Sequence, residues 1–292
     1  MIGFEYQAPE TIDEVFELLE RKGEAARIMA GGTALILFMK QRLVRPEVVV
    51  SLRRVAELDG VRAQNGTVRI GATVPQRSIE REPIILERFP VLVETLRKVA
   101  TPRVRNQATL GGNLTHADPN QDPPVTLIAL DASVRLRTRG GERIVRLDEF
   151  FSDYYETVLQ PEEILTDILL PAPPPNSGSS YLKFLPRTAD DYATVAASAT
   201  VVLGDGLCQD VRIVLGSAGP TVIRARKAEM VLRGQPATEE VLRTAAAAVK
   251  DEVDPLSDIR GSAEYKRAMT EVFAFRALRS AVERAQSRRS ES

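Results

Sequence analysis

Hydrophobic and polar residues alternate along this chain with two different periods. Val15, Phe16, Leu18 and Leu19 share one face of a 3.6-residue repeat, which predicts an amphipathic helix. Thr11 stands at its N-cap position with Glu14 three residues later, the spacing of a capping box, and Gly23 ends it. Short extended runs flank this helix, over residues 4–7 and 26–29. A second helix is expected over 35–39, and Val48-Val49-Val50, after Pro46, reads as a β-branched strand. Strand, helix, strand, helix, strand in this order predicts a small parallel sheet.

The pattern changes near Leu58. Residues 60–74 read as a hairpin turned at Asn65-Gly66. Residues 83–99 are amphipathic and expected to be mostly helix, and 123–130 form an apolar helix candidate. A further hairpin covers 133–145, turned by Gly140-Gly141. The run from Pro171 to Ser180 reads as a linker, because its prolines block helix and ladder alike and its Ser/Gly tail is flexible. Beyond it lie strand candidates over 181–185, 193–203 and 211–215, with Asp205-Gly206 as a turn. Helices over 239–253 and 263–285 follow. The expected division is a first domain over 1–175, with subdomains of about 1–57 and 58–175, a second domain over 176–285, and a frayed tail over 286–292.

Composition narrows the chemistry. The chain has 292 residues and a net charge of −1, which gives no reason to expect nucleic acid as a partner. No apolar run is long enough to span a membrane, and the first residues lack the features of a secretory signal, so a cytoplasmic location is expected. There is one cysteine, Cys208, and one histidine, His116. Iron–sulfur clusters and Cys/His zinc sites need more ligands than this, and a His-based triad is not readily assembled. Cys208 is expected in a turn and inert, and His116 in a turn. Redox chemistry would therefore need an organic cofactor.

Two glycine-centred turns, Ala30-Gly31-Gly32-Thr33-Ala34-Leu35 and Thr109-Leu110-Gly111-Gly112-Asn113, are candidate anion cradles. Backbone amides at a helix start or in a nest hold phosphate, and the close approach favours glycine. The first turn lies between strand and helix, as a phosphate loop should, although a plain tight turn fits it too. Neither turn has the G-x-G-x-x-G spacing of nicotinamide enzymes, and no P-loop is present. Asp122, just before an apolar helix, is placed to cap that helix or to accept from a ribose hydroxyl.

Taken in order, Ala30-Gly31-Gly32-Thr33, Arg105-Asn106, Ala108 to Asn113, Asp118-Pro119 and Asp122 resemble the FAD-binding medium subunit of the molybdenum hydroxylases, the xanthine dehydrogenase and aerobic carbon monoxide dehydrogenase family. The resemblance continues through Leu147 to Phe151, Glu162 to Leu165, Lys183-Phe184, Arg187 and Asp190 to Ala193. It implies an α+β fold: a two-subdomain FAD-binding unit of the vanillyl-alcohol-oxidase type, then a domain with a small antiparallel sheet and helices. It also implies non-covalent FAD. Ile28, Met29, Ala30, Gly31, Gly32, Thr33, Ala34 and Leu35 would wrap the pyrophosphate, and Thr109, Leu110, Gly111, Gly112 and Asn113 would approach it from the other side. Asp122 would meet the ribityl or adenosine part, Leu165 would pack on the flavin, Lys183 would contact its polar edge, and Tyr192 would sit by the isoalloxazine. The resemblance further implies a small [2Fe-2S] subunit and a large molybdopterin subunit, joined in a dimer of heterotrimers. In such a complex this chain would collect electrons for a terminal acceptor. A self-contained flavin oxidoreductase and a non-catalytic assembly subunit that has lost FAD stand as alternatives.

Overall fold

The computed structural model describes residues 2–186, 188 and 191–290. Arg187 and Asp190, which contribute to the family resemblance, lie outside the described residues. The first unit is the expected parallel sheet. Strands β1 (Glu5–Gln7), β2 (Ala26–Met29) and β3 (Val48–Ser51) lie in the order β1-β3-β2, with β3 parallel to both neighbours. The helix Ile12–Lys22 has the full capping box, Thr11 accepting from the Glu14 amide and Glu14 reaching back to the cap. Val15 and Phe16 bury its apolar face against Val48 and Val50.

The second unit is a five-stranded antiparallel sheet. Strands β4 (Val61–Gln64), β5 (Thr67–Gly71), β6 (Ser133–Thr138) and β7 (Gly141–Arg146) are the two expected hairpins, with a two-stranded ribbon, β8 (Phe151–Asp153) and β9 (Glu156–Thr157), close by. The hairpins are joined edge to edge by β10 (Ile164–Pro171), giving the order β4-β5-β10-β6-β7. The hydrophobic pattern did not reveal β10. A bulge between Leu165 and Asp167 breaks its alternation, and the buried Asp167 carboxylate, bound to Arg69, interrupts the apolar run. The helix expected over 83–99 is two helices, Pro83–Arg88 and Pro90–Leu96. Proline at position 90 starts a second helix and cannot continue the first. The second glycine pair is not a turn: Gly111 and Gly112 lie in the first turn of the helix Leu110–His116, capped by Thr109.

The third unit is the four-stranded sheet β11 (Ser177–Phe184), β12 (Val195–Gly204), β13 (Leu207–Gly216) and β14 (Ile223–Arg224), in that order. One face packs on the wholly buried helix Asp122–Ala129 and the other on the helix Ala263–Ser290. A sheet pressed on both faces favours small side chains, which is why β12 begins Val195-Ala196-Ala197-Ser198-Ala199 and is buried along almost its whole length. Here the linker expectation fails. Only 172–176 connect the domains, and the Ser/Gly tail is strand β11, paired with β12. Gly178 is not a flexible residue but a clearance. A Cβ there would overlap the carbonyl oxygen of Ala281 and lie 2.4 Å from the amide of Ala285. The polar end expected to fray instead continues the last helix through Ser290, and 291–292 lie outside the described residues. Cys208 is buried in β13 rather than in a turn. The short helix Arg226–Leu232, absent from the sequence pattern, is held by Glu229, whose carboxylate accepts from the Ile213 amide at 3.1 Å and from Arg224 at 2.8 Å.

A buried polar knot ties the third unit to the second. Asp122, at the first turn of the Asp122–Ala129 helix, accepts from the Tyr181 hydroxyl and, at 2.8 Å, from Lys183 Nζ. Lys183 also donates to the Lys98 carbonyl at 3.0 Å, and Lys98 Nζ to the Tyr181 carbonyl at 3.2 Å. The side chains of Asp122 and Lys183 are 5% and 2% exposed.

Two outcomes follow from this packing. Gly178→Ala must displace the last helix and should cost about 1–3 kcal/mol of stability, seen as a lower thermal midpoint, whereas Gly140→Ala, with open space around it, should stay within about 0.5 kcal/mol. Lys183→Met strands a buried carboxylate and should cost about 3–5 kcal/mol. The double variant Lys183→Met/Asp122→Leu should recover much of that loss in chemical denaturation.

Candidate functional site

The first and second units meet along a cleft of about 1380 Å³, larger than the usual drug-sized pocket and roomy enough for a dinucleotide. Its middle is the junction of the two glycine motifs. A Cβ on Gly31 would overlap the carbonyl oxygen of Gln107, and a Cβ on Gly112 would lie 3.5 Å from Ala30 Cβ. Gly111 lies against strand β5, where a Cβ would come within 2.6 Å of Ala72 Cβ. Glycine is thus required at 31 and 111 by protein packing, before any ligand is considered. Gly32 has φ +73°, a left-handed conformation that swings the chain from β2 into the helix Leu35–Lys40.

The two motifs differ in what they leave free. The amides of Leu110, Gly111 and Gly112 donate to Val74 O, Ala72 O and Thr109 Oγ1. That helix start is therefore already satisfied, which corrects the expectation of a second amide cradle there. Among the described residues, the amides of Gly31, Gly32, Thr33, Ala34 and Leu35 meet no protein acceptor. They are orphan donors of a helix entry, facing the cleft, and suit an anionic group. Two side-chain amides at the cleft are also unsatisfied: Asn113 Oδ1 and Gln121 Oε1 are buried without a partner. A buried orphan amide costs free energy unless a ligand completes it. Sequence reasoning missed Gln121. Its one signal is position, since it occupies the N-cap site of the Asp122–Ala129 helix yet its side chain makes no cap bond.

Part of the cleft lining is charged, from Glu20, Glu24, Arg27 and Arg139. Arg139 bridges back to Glu20 at 2.9 Å from the hairpin β6–β7. Another part is aromatic. Phe38 and His116 line the cleft with their ring centroids 5.2 Å apart, and Tyr155 packs 5.4 Å from His116. His116 ends the Leu110–His116 helix rather than occupying a turn. Burial lowers its pKa, with the neighbouring Asp118 carboxylate acting in the opposite direction.

Of the expected site residues, the cleft brings together Ile28, Met29, Ala30, Gly31, Gly32, Thr33, Ala34, Leu35, Thr109, Gly111, Gly112, Asn113 and Leu165. Leu110 is buried in the core instead. Asp122 and Lys183 do not line the cleft: packing of the third unit on the second claims both for the buried knot. Tyr192 does not line it either. The residue as a whole is exposed, with the Arg260 guanidinium 5.6 Å from its ring, while desolvation at its hydroxyl end and the Asp118 carboxylate push the phenol well above the usual value. Among the described residues no cluster of His, Cys, Asp and Glu is arranged to hold a metal ion, and no helix is long and apolar enough to cross a membrane.

Known proteins share this arrangement. Residues 2–173 match the family of FAD binding domains in molybdopterin dehydrogenase, and 180–281 match the CO dehydrogenase flavoprotein C-terminal domain. The chain is 37% identical to the carbon monoxide dehydrogenase medium chain of Afipia carboxidovorans, over 98% of both chains. Its identity to the medium chain from Hydrogenophaga pseudoflava is 35%, over 95% of this chain and 96% of that one. A solved structure of carbon monoxide dehydrogenase from H. pseudoflava superposes with a TM-score of 0.94, covering 97% of this chain and 99% of that chain at 37% identity. Quinoline 2-oxidoreductase from Pseudomonas putida 86 superposes at 0.90, with 31% identity and 98% of each chain covered. With both domains matched, the chain belongs to the FAD-binding medium subunits of the molybdenum hydroxylases, an oxidoreductase family.

Proposed function

We propose that this subunit is an electron relay. It receives electrons from [2Fe-2S] clusters on a small partner subunit, themselves fed by a large molybdopterin subunit, and passes them to a terminal acceptor. The assembly is a cytoplasmic dimer of heterotrimers. The observation that carries this reading is the run of unpaired amides from Gly31 to Leu35 opposite the orphan amides of Asn113 and Gln121. Bound FAD supplies the exchange between one-electron and two-electron chemistry. The chain's own task is to bind, orient and shield. The 28–35 segment holds the diphosphate, Thr109 and Gly112 form the facing wall, and Asn113 and Gln121 hydrogen-bond the polar groups beyond it. Leu165 packs on the apolar surface of the cofactor. Asp122 and Lys183 act behind that wall, by fixing the helix that carries Gln121.

Clusters belong on another chain in this reading. Cys208 is this protein's sole thiol, and a [2Fe-2S] cluster needs several cysteine ligands. Relatives of the same fold are named for carbon monoxide, nicotine and caffeine. That spread fits a subunit that handles electrons and leaves the choice of substrate to its partner.

The direct test is the visible spectrum of the purified chain, with the cofactor extracted and identified. A flavin spectrum and FAD are expected, together with reduction by a cluster-bearing partner. A colourless chain, or one that oxidises an organic substrate unaided, would overturn the reading. Gly31→Ala should force the joint open at Gln107 and weaken FAD binding about ten- to hundred-fold in fluorescence titration, in line with an overpacking cost of about 1–3 kcal/mol. Asn113→Leu should have opposite effects in two assays. Removing a buried orphan should leave the cofactor-free chain as stable or slightly more so, while affinity for FAD falls about tenfold.

A further inference from the structure

We propose that His116 takes up a proton when the flavin in this cleft is reduced, and releases it on reoxidation. The inference rests on the FAD reading above and concerns a residue which that reading leaves without a role. Two unlike clusters of side chains line the cleft. A diphosphate at the glycine joint would leave one cluster to each nucleotide half. The cluster of Glu20, Glu24, Arg27 and Arg139 is charged and polar, and suits the adenosine half with its ribose hydroxyls. The pair Phe38 and His116 suits the flat tricyclic ring.

His116 is the one group lining the cleft whose ordinary pKa lies near neutrality, since the others there are carboxylates and guanidiniums. Its ring is held by an edge contact to Phe38 from the helix Leu35–Lys40 and a tilted contact to Tyr155 from the turn between β8 and β9. Neither ring nitrogen has a hydrogen-bond partner among the described residues, so both remain free to exchange protons. The groups that face it are few. Phe38 brings no charge. Asp118, two residues on, is the nearby carboxylate: its Oδ2 accepts from the Tyr155 hydroxyl at 3.3 Å and its Oδ1 from the Asn120 amide at 2.9 Å. The Tyr192 phenol interacts with Asp118 and with Tyr155, and carries the Arg260 guanidinium beside its ring.

These surroundings make a poised base. Burial favours neutral imidazole while the cleft carries no added charge. Two-electron reduction with one proton would leave a bound flavin an anion. His116 would then take a second proton from the bulk solvent, and its imidazolium would offset that negative charge. Two protons in all enter with two electrons, and both leave when the electrons go to the acceptor. By linkage, the charge that raises the proton affinity of His116 is the charge that His116 stabilises.

The chain has a single histidine, so its ring signals in an ¹⁵N-resolved NMR titration need no assignment. In the FAD-loaded chain the midpoint of that titration should rise by about one pH unit or more on photoreduction, a tenfold gain in proton affinity. His116→Gln should still bind FAD, but between the two midpoints it should take up one proton fewer per two electrons, read with a pH-indicator dye. Identical titrations in the oxidised and reduced chain, or unchanged proton uptake in the variant, would overturn the assignment of His116 alone. A chain that binds no FAD would overturn the relay reading as well.

Discussion

The structure depends on one contact that leaves no room for a side chain. Gly31 from the parallel sheet lies so close to the Gln107 carbonyl that a single methyl would separate the two subdomains. That contact sets the width of the cleft at its middle. Beside it, the Gly31–Leu35 amides meet no protein acceptor among the described residues. On the far side Gly111 repeats the device against Ala72, bringing the helix Leu110–His116 down onto the end of β5. Dense packing and ligand binding thus ask the same thing of these glycines, and the packing requirement holds even without a ligand.

That overlap explains what could be read in the sequence and what could not. The two glycine motifs were visible, and so was their convergence on one cleft. Their division of labour was not. A pattern of Gly-Gly does not say whether the absent Cβ makes room for a phosphate or for a carbonyl oxygen of the same chain. At Gly111 and Gly112 the amides are consumed by Ala72 and Thr109, a fact of tertiary contact that no local spacing encodes. The first subdomain was legible almost residue by residue because its signals are local: the Thr11/Glu14 box, the Gly23 stop and the β-branched Val48–Ser51 strand.

The misread segments are those where long-range packing overrides local preference. Ser177-Gly178-Ser179-Ser180 has the composition of a flexible tether, yet it is a strand with a helix laid directly across it, and small residues are there because the helix is close. Strand β10 was hidden by its own bulge. Lys183 and Asp122 matched the family pattern, but a polar residue in a matched motif can serve either the ligand or the wall behind it. In the structure they bind each other in a nearly dry interior.

The last of these points gives the C-terminal domain a role. Among the described residues, none of those lining the cleft lies beyond Leu165. What the domain does is bury a helix. All of Asp122–Ala129 is enclosed, with the four-stranded sheet on one side and the second subdomain on the other, and the Asp122–Lys183–Tyr181 knot fixes its first turn. Gln121 sits directly before that turn and presents its amide to the cleft. A rigid, fully enclosed helix fixes the position of that amide more tightly than a surface loop would. Strong packing is also what permits an unsatisfied polar atom to persist there, because the cost of an orphan acceptor is small beside the apolar burial that holds its backbone in place. The C-terminal domain thus acts as the clamp that keeps one wall of the cleft at a fixed distance from the other.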